Sequence, residues 1–311
     1  MSPQRTLATR DGAVRRGKTG IEWTEQTWNP FVGCSKKSEG CKHCYAIRQA
    51  ARIESFGNVP HYDGVTKSIA SGTDWSGKVA LASESVLSKV RRFKPGELVF
   101  VNSMSDFWHE SAKDEWRVHV LDLMAGRPDV AFQVLTKRPE NIAPMLARMK
   151  RAVPECMWLG STVESRKQIG RIDILREVPA VLRFLSIEPL LDDVAGGLLD
   201  LRGIHWVIIG GESGEDARPM RYEWVVNVLL ACAAQRVPVF FKQWGSWRNN
   251  PLAAQLRSLE AVTKADPTGK GGSLVDGKSY KEMPERFWSQ WGRLRGTLPE
   301  RAKGQRFLPL M

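Results

Sequence analysis

"VAFQVLTKRPENIAPMLARMKRAVPECMWLGSTVE", residues 130 to 164, is the stretch whose reading decides how this chain folds. "VAFQVL" (130 to 135) is apolar almost without alternation, as expected of a strand buried on both faces. A polar turn follows, then "PENIAPMLARMKRAV" (139 to 153), whose apolar residues recur every three and four positions and predict a helix. "CMWLG" (156 to 160) is a second strand of the same kind. Strand, helix and strand at these lengths predict a βαβ unit and therefore a parallel sheet.

The rhythm extends outward in both directions. Further strand-like runs are "KVALA" (78 to 82), "ELVFV" (97 to 101), "VLRFLSI" (181 to 187), "HWVIIG" (205 to 210) and "VPVFFK" (237 to 242). Helical spacing marks residues 113 to 127, 164 to 178 and 221 to 236. Right-handed crossovers then make a barrel or an open α/β sheet the natural closure.

The strands from 97 onward each run out into polar residues. Their ends carry Ser103, Ser105 and Asp106; Lys137 and Arg138; Ser161 and Glu164; Ser186 and Glu188; Gly210, Gly211 and Glu212; and Lys242. These groups describe one surface at the carboxyl ends of a parallel sheet, where α/β folds place their sites. Helix capping accounts for Ser161 or Glu164. It does not account for Lys137 and Arg138, Lys242 or the Gly-Gly-Glu.

Of 311 residues, 42% are hydrophobic and 26% charged, so the chain is long enough for one large domain and an appendage. No apolar run reaches the roughly 18 to 20 residues of a membrane span. The first 19 residues are basic and polar, unlike a secretory signal, and a cytoplasmic location is the default expectation. A net charge of +12 favours an anionic partner such as nucleic acid, and the twelve tryptophans add aromatic surface that is either stacked on bases or simply buried.

Three of the five cysteines fall in "GCSKKSEGCKHCYA" (33 to 46), with the spacing C-x6-C-x2-C. Cys156, at a strand start, and Cys232, in a helical run, read as small core residues. A structural zinc site asks for four ligands, and neither a second Cys pair nor a well-spaced His supplies the fourth; His43, His61 and His109 are the available imidazoles. An iron-sulfur cluster accepts three thiolates from Cys34, Cys41 and Cys44 and leaves one iron without a protein ligand. Both readings stand at this point.

The cysteine loop, together with "IEWTEQTWNPFVG", "SMSDFWHE", "LTKRP", "SIEPLL", "IIGGESG" and "FFKQWG", resembles the radical S-adenosylmethionine (SAM) superfamily. More narrowly it resembles a phage- and prophage-encoded three-cysteine family of unsettled substrate, distantly similar to spore photoproduct lyase. The resemblance covers about residues 20 to 245. The loop departs from the usual superfamily spacing of three residues between the first two cysteines, and His43 stands where an aromatic residue is usual.

The resemblance implies a partial (β/α)6-type TIM barrel over residues 20 to 245. A basic, flexible tail (1 to 19) would precede it and a basic, tryptophan-containing extension (246 to 311) would come after it. It implies that Cys34, Cys41 and Cys44 bind a [4Fe-4S] cluster whose open iron chelates SAM, and that one electron yields a 5′-deoxyadenosyl radical that takes hydrogen from the substrate. Ser103, Ser105 and Asp106 would recognise the SAM amino group, and Lys137 or Arg138 its carboxylate. Ser161, Glu164, Ser186 and Glu188 would meet ribose or ammonium. Gly210 and Gly211 would line the cofactor site, while Glu212 and Lys242 would act at the substrate.

The expected partners are DNA, RNA or a nucleotide as substrate and an electron donor such as flavodoxin or ferredoxin. The competing expectations are a zinc-stabilised nucleic-acid-binding module without catalysis, and a barrel whose cluster is purely structural. In the extension, "TKADPTGKGGSLVDGKS" (263 to 279) reads as a mobile loop, and "PERFWSQWGRLRG" (284 to 296) as an aromatic segment that packs on the barrel or faces nucleic acid.

Overall fold

Seven strands lie side by side in chain order, every neighbouring pair parallel: β1 (Gln26–Trp28), β2 (Leu98–Val101), β3 (Ala131–Thr136), β4 (Met157–Thr162), β5 (Leu182–Ile187), β6 (Trp206–Gly210) and β7 (Val239–Gln243). The computed structural model describes residues 6–8, 14–16, 19–197, 199–255, 266 and 268–284. Because β1 and β7 do not pair with each other, the sheet is a half-barrel, compatible with a partial TIM-like fold.

Among the described residues five helices of eight residues or more accompany it: α1 (Tyr45–Ser55), α2 (Asp114–Ala125), α3 (Ile142–Met149), α4 (Gly170–Glu177) and α5 (Tyr222–Gln235). The last four match the helical spacing in the sequence and cover the outer face. There Val134, Leu159, Leu185 and Ile209 are fully buried in one core with Leu121, Leu146, Leu175 and Val228. Each such side chain contributes about 1.5–3 kcal/mol through burial. Cys156 and Cys232 belong to this core, as expected.

The alternate residues face the concave side and form a second core: Trp23, Phe100, Trp158, Phe184, Trp206 and Phe240. Trp23 meets Phe100 edge-on with 4.8 Å between ring centroids. This aromatic layer plugs the lower half of the barrel and forms the floor of whatever binds above it.

The sequence reading fails in three places. "KVALA" is not a strand of the main sheet, since only Ala80–Leu81 is extended and it pairs antiparallel with Phe31–Val32. The place beside β2 belongs to Gln26–Trp28, a short edge strand whose Thr27 is exposed; an edge needs no continuous apolar run. The sheet therefore has seven strands, one beginning before the cysteine loop, rather than six repeats. The connection from β5 to β6 contains no helix among its described residues.

The third miss is the described part of the supposed mobile loop; its residues 263 to 265 and 267 lie outside the described residues. Leu274–Val275 and Lys278–Ser279 pair as a hairpin across Asp276 and Gly277, both with positive φ, which is the conformation an Asp-Gly turn favours. Val275 is buried, and the Trp244 indole donates to the Leu274 carbonyl at 2.9 Å. Glycine and aspartate here make a tight turn.

After that hairpin the chain returns along the open edge of β7. The Phe241 amide donates to the Tyr280 carbonyl (2.7 Å) and the Glu282 amide to the Val239 carbonyl (3.1 Å). Lys281 reaches across to Glu22, just before β1, at 2.8 Å. This strap covers one edge of the half-barrel and ties it towards the other. Residues 285 to 311, including nearly all of the aromatic segment 284 to 296, lie outside the described residues, as does most of the N-terminal tail beyond the strand pair Thr6–Ala8 and Val14–Arg16.

Candidate functional site

The cysteine loop lies over the carboxyl rim because the strand ends hold it there. Behind Cys34, the Gly33 amide donates to the Met104 carbonyl (3.1 Å), and the Ser105 hydroxyl donates to the Gly33 carbonyl (2.6 Å). Gly33 has φ of +88°, and a side chain there would overlap the Lys78 carbonyl. The Ser103 hydroxyl donates to Asn29 (3.0 Å), and its carbonyl accepts the Tyr45 hydroxyl (3.1 Å).

Two buried glutamates hold the rest of the loop. Glu164, after β4, accepts from the Ser38 hydroxyl and the Gly40 amide (3.4 Å), while its other oxygen takes Arg171 at 2.9 Å. Glu212, after β6, takes Arg218 on both oxygens (2.6 and 2.8 Å) and His43 at 3.1 Å. Desolvation opposes its charge, but the Arg218 hydrogen bonds outweigh that and hold the Glu212 carboxyl below its usual range. Both residues anchor the loop, so neither presents a free carboxylate to a ligand.

Asp106 and Arg138 are likewise committed. Asp106 accepts from the Thr136 hydroxyl (2.7 Å), the amides of Trp108 and Lys137 (both 3.0 Å) and Arg138 Nη1 (3.2 Å). Arg138 donates to Glu110 (3.0 Å), Asp106, Cys34 Sγ (3.9 Å) and both oxygens of Ser35 (2.8 and 3.0 Å). The Ser35 hydroxyl also lies 2.8 Å from His109 Nε2. His109 Nδ1 accepts the Ser111 amide (3.0 Å), which leaves the ring proton on Nε2, donated to Ser35.

All three thiols are half-buried. Burial pushes Cys34 up to about 12, with Asp106 adding and Arg138 opposing; burial raises Cys44 as well, with Lys137 opposing. Desolvation works against the Lys137 ammonium, but Cys41, Glu164, Cys44 and Asp106 outweigh it and hold the group above the ordinary lysine range. Lys137 thus places a cation among the thiols, and among the described residues its ammonium makes no hydrogen bond.

Beneath the loop, the concave face is polar. Thr162 and Ser186 are register partners on β4 and β5, on the same side as Gly160, Phe184 and the aromatic floor. Thr162 Oγ1 is buried without a hydrogen-bond partner. Ser161, one residue earlier, turns the other way, buried towards the helices with its hydroxyl on the Thr136 carbonyl (3.3 Å). At the far wall Lys242 pairs with Glu188 at 2.5 Å. The β6–β7 register slips after Ile209, leaving Lys242 as the bulged residue, a device that re-aims a side chain at a barrel rim.

Gly210 and Gly211 keep the wall thin: a side chain on the first would press on Glu188, and one on the second would overlap the Trp244 carbonyl. The expected site residues therefore come together at one rim, but most of the charged ones hold the loop. Thr162, Ser35 and Arg218 join them unannounced by the sequence, and His109, weighed there only as a possible zinc ligand, joins them as a hydrogen-bond partner of Ser35.

Among the described residues no three or more His, Cys, Asp or Glu side chains are arranged to hold a single metal ion. His109 has both ring nitrogens engaged in hydrogen bonds and would have to give one up to join a zinc site. The donor chemistry fits a cluster better, because thiolates on a cubane ligate different irons and need not crowd one ion. Three thiols on one loop, with glycines at 33 and 40 and a buried guanidinium behind the first, are a suitable donor set.

Fold and site together define a parallel half-barrel with a three-thiol loop at its carboxyl rim. A family model described as "Protein of unknown function (DUF5131)" matches residues 18–284, and the chain belongs to that family. Neither a curated protein nor a solved structure matches it. No described helix is long and apolar enough to cross a membrane.

Proposed function

We propose that the protein is a radical SAM enzyme acting on a nucleic acid or nucleotide. The observation that carries this reading is the placement of Cys34, Cys41 and Cys44 above a concave polar face that contains the unpartnered Thr162 Oγ1. The three thiolates would hold a [4Fe-4S] cluster, which, when bound and reduced, supplies the electron that cleaves SAM and so generates a hydrogen-abstracting radical.

The chain's own residues divide the remaining work. Lys137, a cation whose ammonium has no hydrogen-bond partner among the described residues, would receive a carboxylate; Arg138 has its five N–H groups engaged. Thr162 and Ser186 offer adjacent hydroxyls for ribose, and Glu188, paired through one oxygen to Lys242, keeps the other as an acceptor for an ammonium. Lys242, paired with Glu188 at the same rim, would contact substrate. The aromatic floor excludes water from below. An electron donor of the flavodoxin or ferredoxin kind would be required.

The test is anaerobic reconstitution with iron and sulfide, reduction with dithionite and an assay for 5′-deoxyadenosine after SAM is added. Product from the wild type, with Cys41→Ala folded but lacking both bound iron and product, is the expected result. A colourless protein with stoichiometric zinc would replace this reading with a binding module. A brown protein inert towards SAM would make the cluster structural.

A further inference from the structure

We propose that the outer face of α1 is a binding track for single-stranded nucleic acid that leads to the rim site. The helix is strongly two-sided. Ala46, Ile47 and Ala50 are buried against Tyr62, Val65 and Trp75, while Tyr45, Arg48, Arg52 and, just beyond the helix end, Phe56 form an exposed stripe. Tyr45 and Phe56 are 51% and 59% exposed, which is unusual for aromatic residues so close to a core. The stripe runs about 16 Å along the helix.

Charge on this face is of one sign. Among the described residues neither Lys42, Arg48 nor Arg52 makes an ion pair, whereas the helix's one acid, Glu54, turns inward to accept the amides of Gly64 (2.6 Å) and Thr66 (3.3 Å). Arg52 lies 5.9 Å from the centre of the Phe56 ring. At the other end Arg48 lies close over Gly214, in the loop just past Gly211 and Glu212, so the stripe is continuous with the rim.

Unpaired cations interleaved with exposed rings suit a phosphate backbone whose bases are free to stack, and stacking on protein rings requires unpaired strands. An acidic peptide would use the arginines but leave both rings without partners. The inference rests on the proposed enzymatic reading only for what happens where the track ends. Binding is read without SAM or reductant, so the two fail separately.

The test is fluorescence anisotropy of a labelled oligothymidylate with the full chain at two salt concentrations. The double variant Arg48→Ala/Arg52→Ala should weaken binding about tenfold or more and flatten the salt dependence. Arg91→Ala/Arg92→Ala, which removes the same charge from two exposed positions before β2, should change it less than about twofold. Phe56→Leu should weaken binding about fivefold or more with the salt dependence unchanged.

Equal losses from both arginine pairs, or no measurable binding by the wild type, would overturn the proposal. So would polyglutamate that competes as well as unlabelled oligothymidylate, an outcome pointing to an acidic protein partner.

Discussion

At His109 the two ring nitrogens have opposite tasks, Nδ1 accepting a backbone amide and Nε2 donating to Ser35. Burial, with Arg138 adding, pushes its pKa from 6.5 down to about 4. A lowered histidine pKa means that the unfolded chain takes up the proton first as pH falls. The associated stability is therefore present above about pH 6.5 and lost progressively towards pH 4, by up to about 3 kcal/mol. Chemical-shift titration should find the His109 ring neutral at pH 5.5; a midpoint near 6.5 would contradict the geometry. Neither this pairing nor the buried, unpartnered hydroxyl of Thr162 was legible in the sequence. His109 meets Ser35 across 74 positions. A strand buried on both faces has no alternation to show which of Ser161 and Thr162 looks inward. The grouping of three cysteines on one loop, by contrast, was legible because they lie close together in the sequence and carry no disulfide pattern.

Elements succeed or fail in the reading for reasons of length. The βαβ units were readable because helices of eight to fourteen residues show a full apolar stripe, as α3 and α5 do. A three-residue edge strand such as β1 offers no periodicity to read. The turn that joins β6 to the Gly-Gly-Glu segment depends on a close backbone approach, Gly211 lying against the Trp244 carbonyl. Gly211→Ala should cost about 1–3 kcal/mol, because backbone rather than a flexible side chain must move. Urea unfolding checks this: a midpoint within error of the wild type would show that the two segments can part freely. The same displacement would loosen Glu212 from His43, so the cysteine loop should be the first region to lose order in that variant.

For the whole molecule, the half-barrel depends on a segment far from the sheet in sequence. Lys281 donates to Glu22 and to the carbonyls of Phe241 (2.7 Å) and Lys242 (3.2 Å), and its ammonium lies 4.5 Å from the centre of the Phe240 ring. Lys281→Met keeps much of the packing but leaves Glu22 and two carbonyls without their donor, and should cost about 1–3 kcal/mol by urea unfolding. A neutral outcome would mean that water replaces the ammonium without loss.

The strap also carries a clock. The Phe241 amide proton is held by the Tyr280 carbonyl, outside the pairing of β6 with β7, so it can exchange with deuterated solvent when the strap lifts even while the parallel sheet stays intact. Its exchange rate, set against that of a central-strand amide such as Leu159, would measure how often the open side of this half-barrel is uncovered.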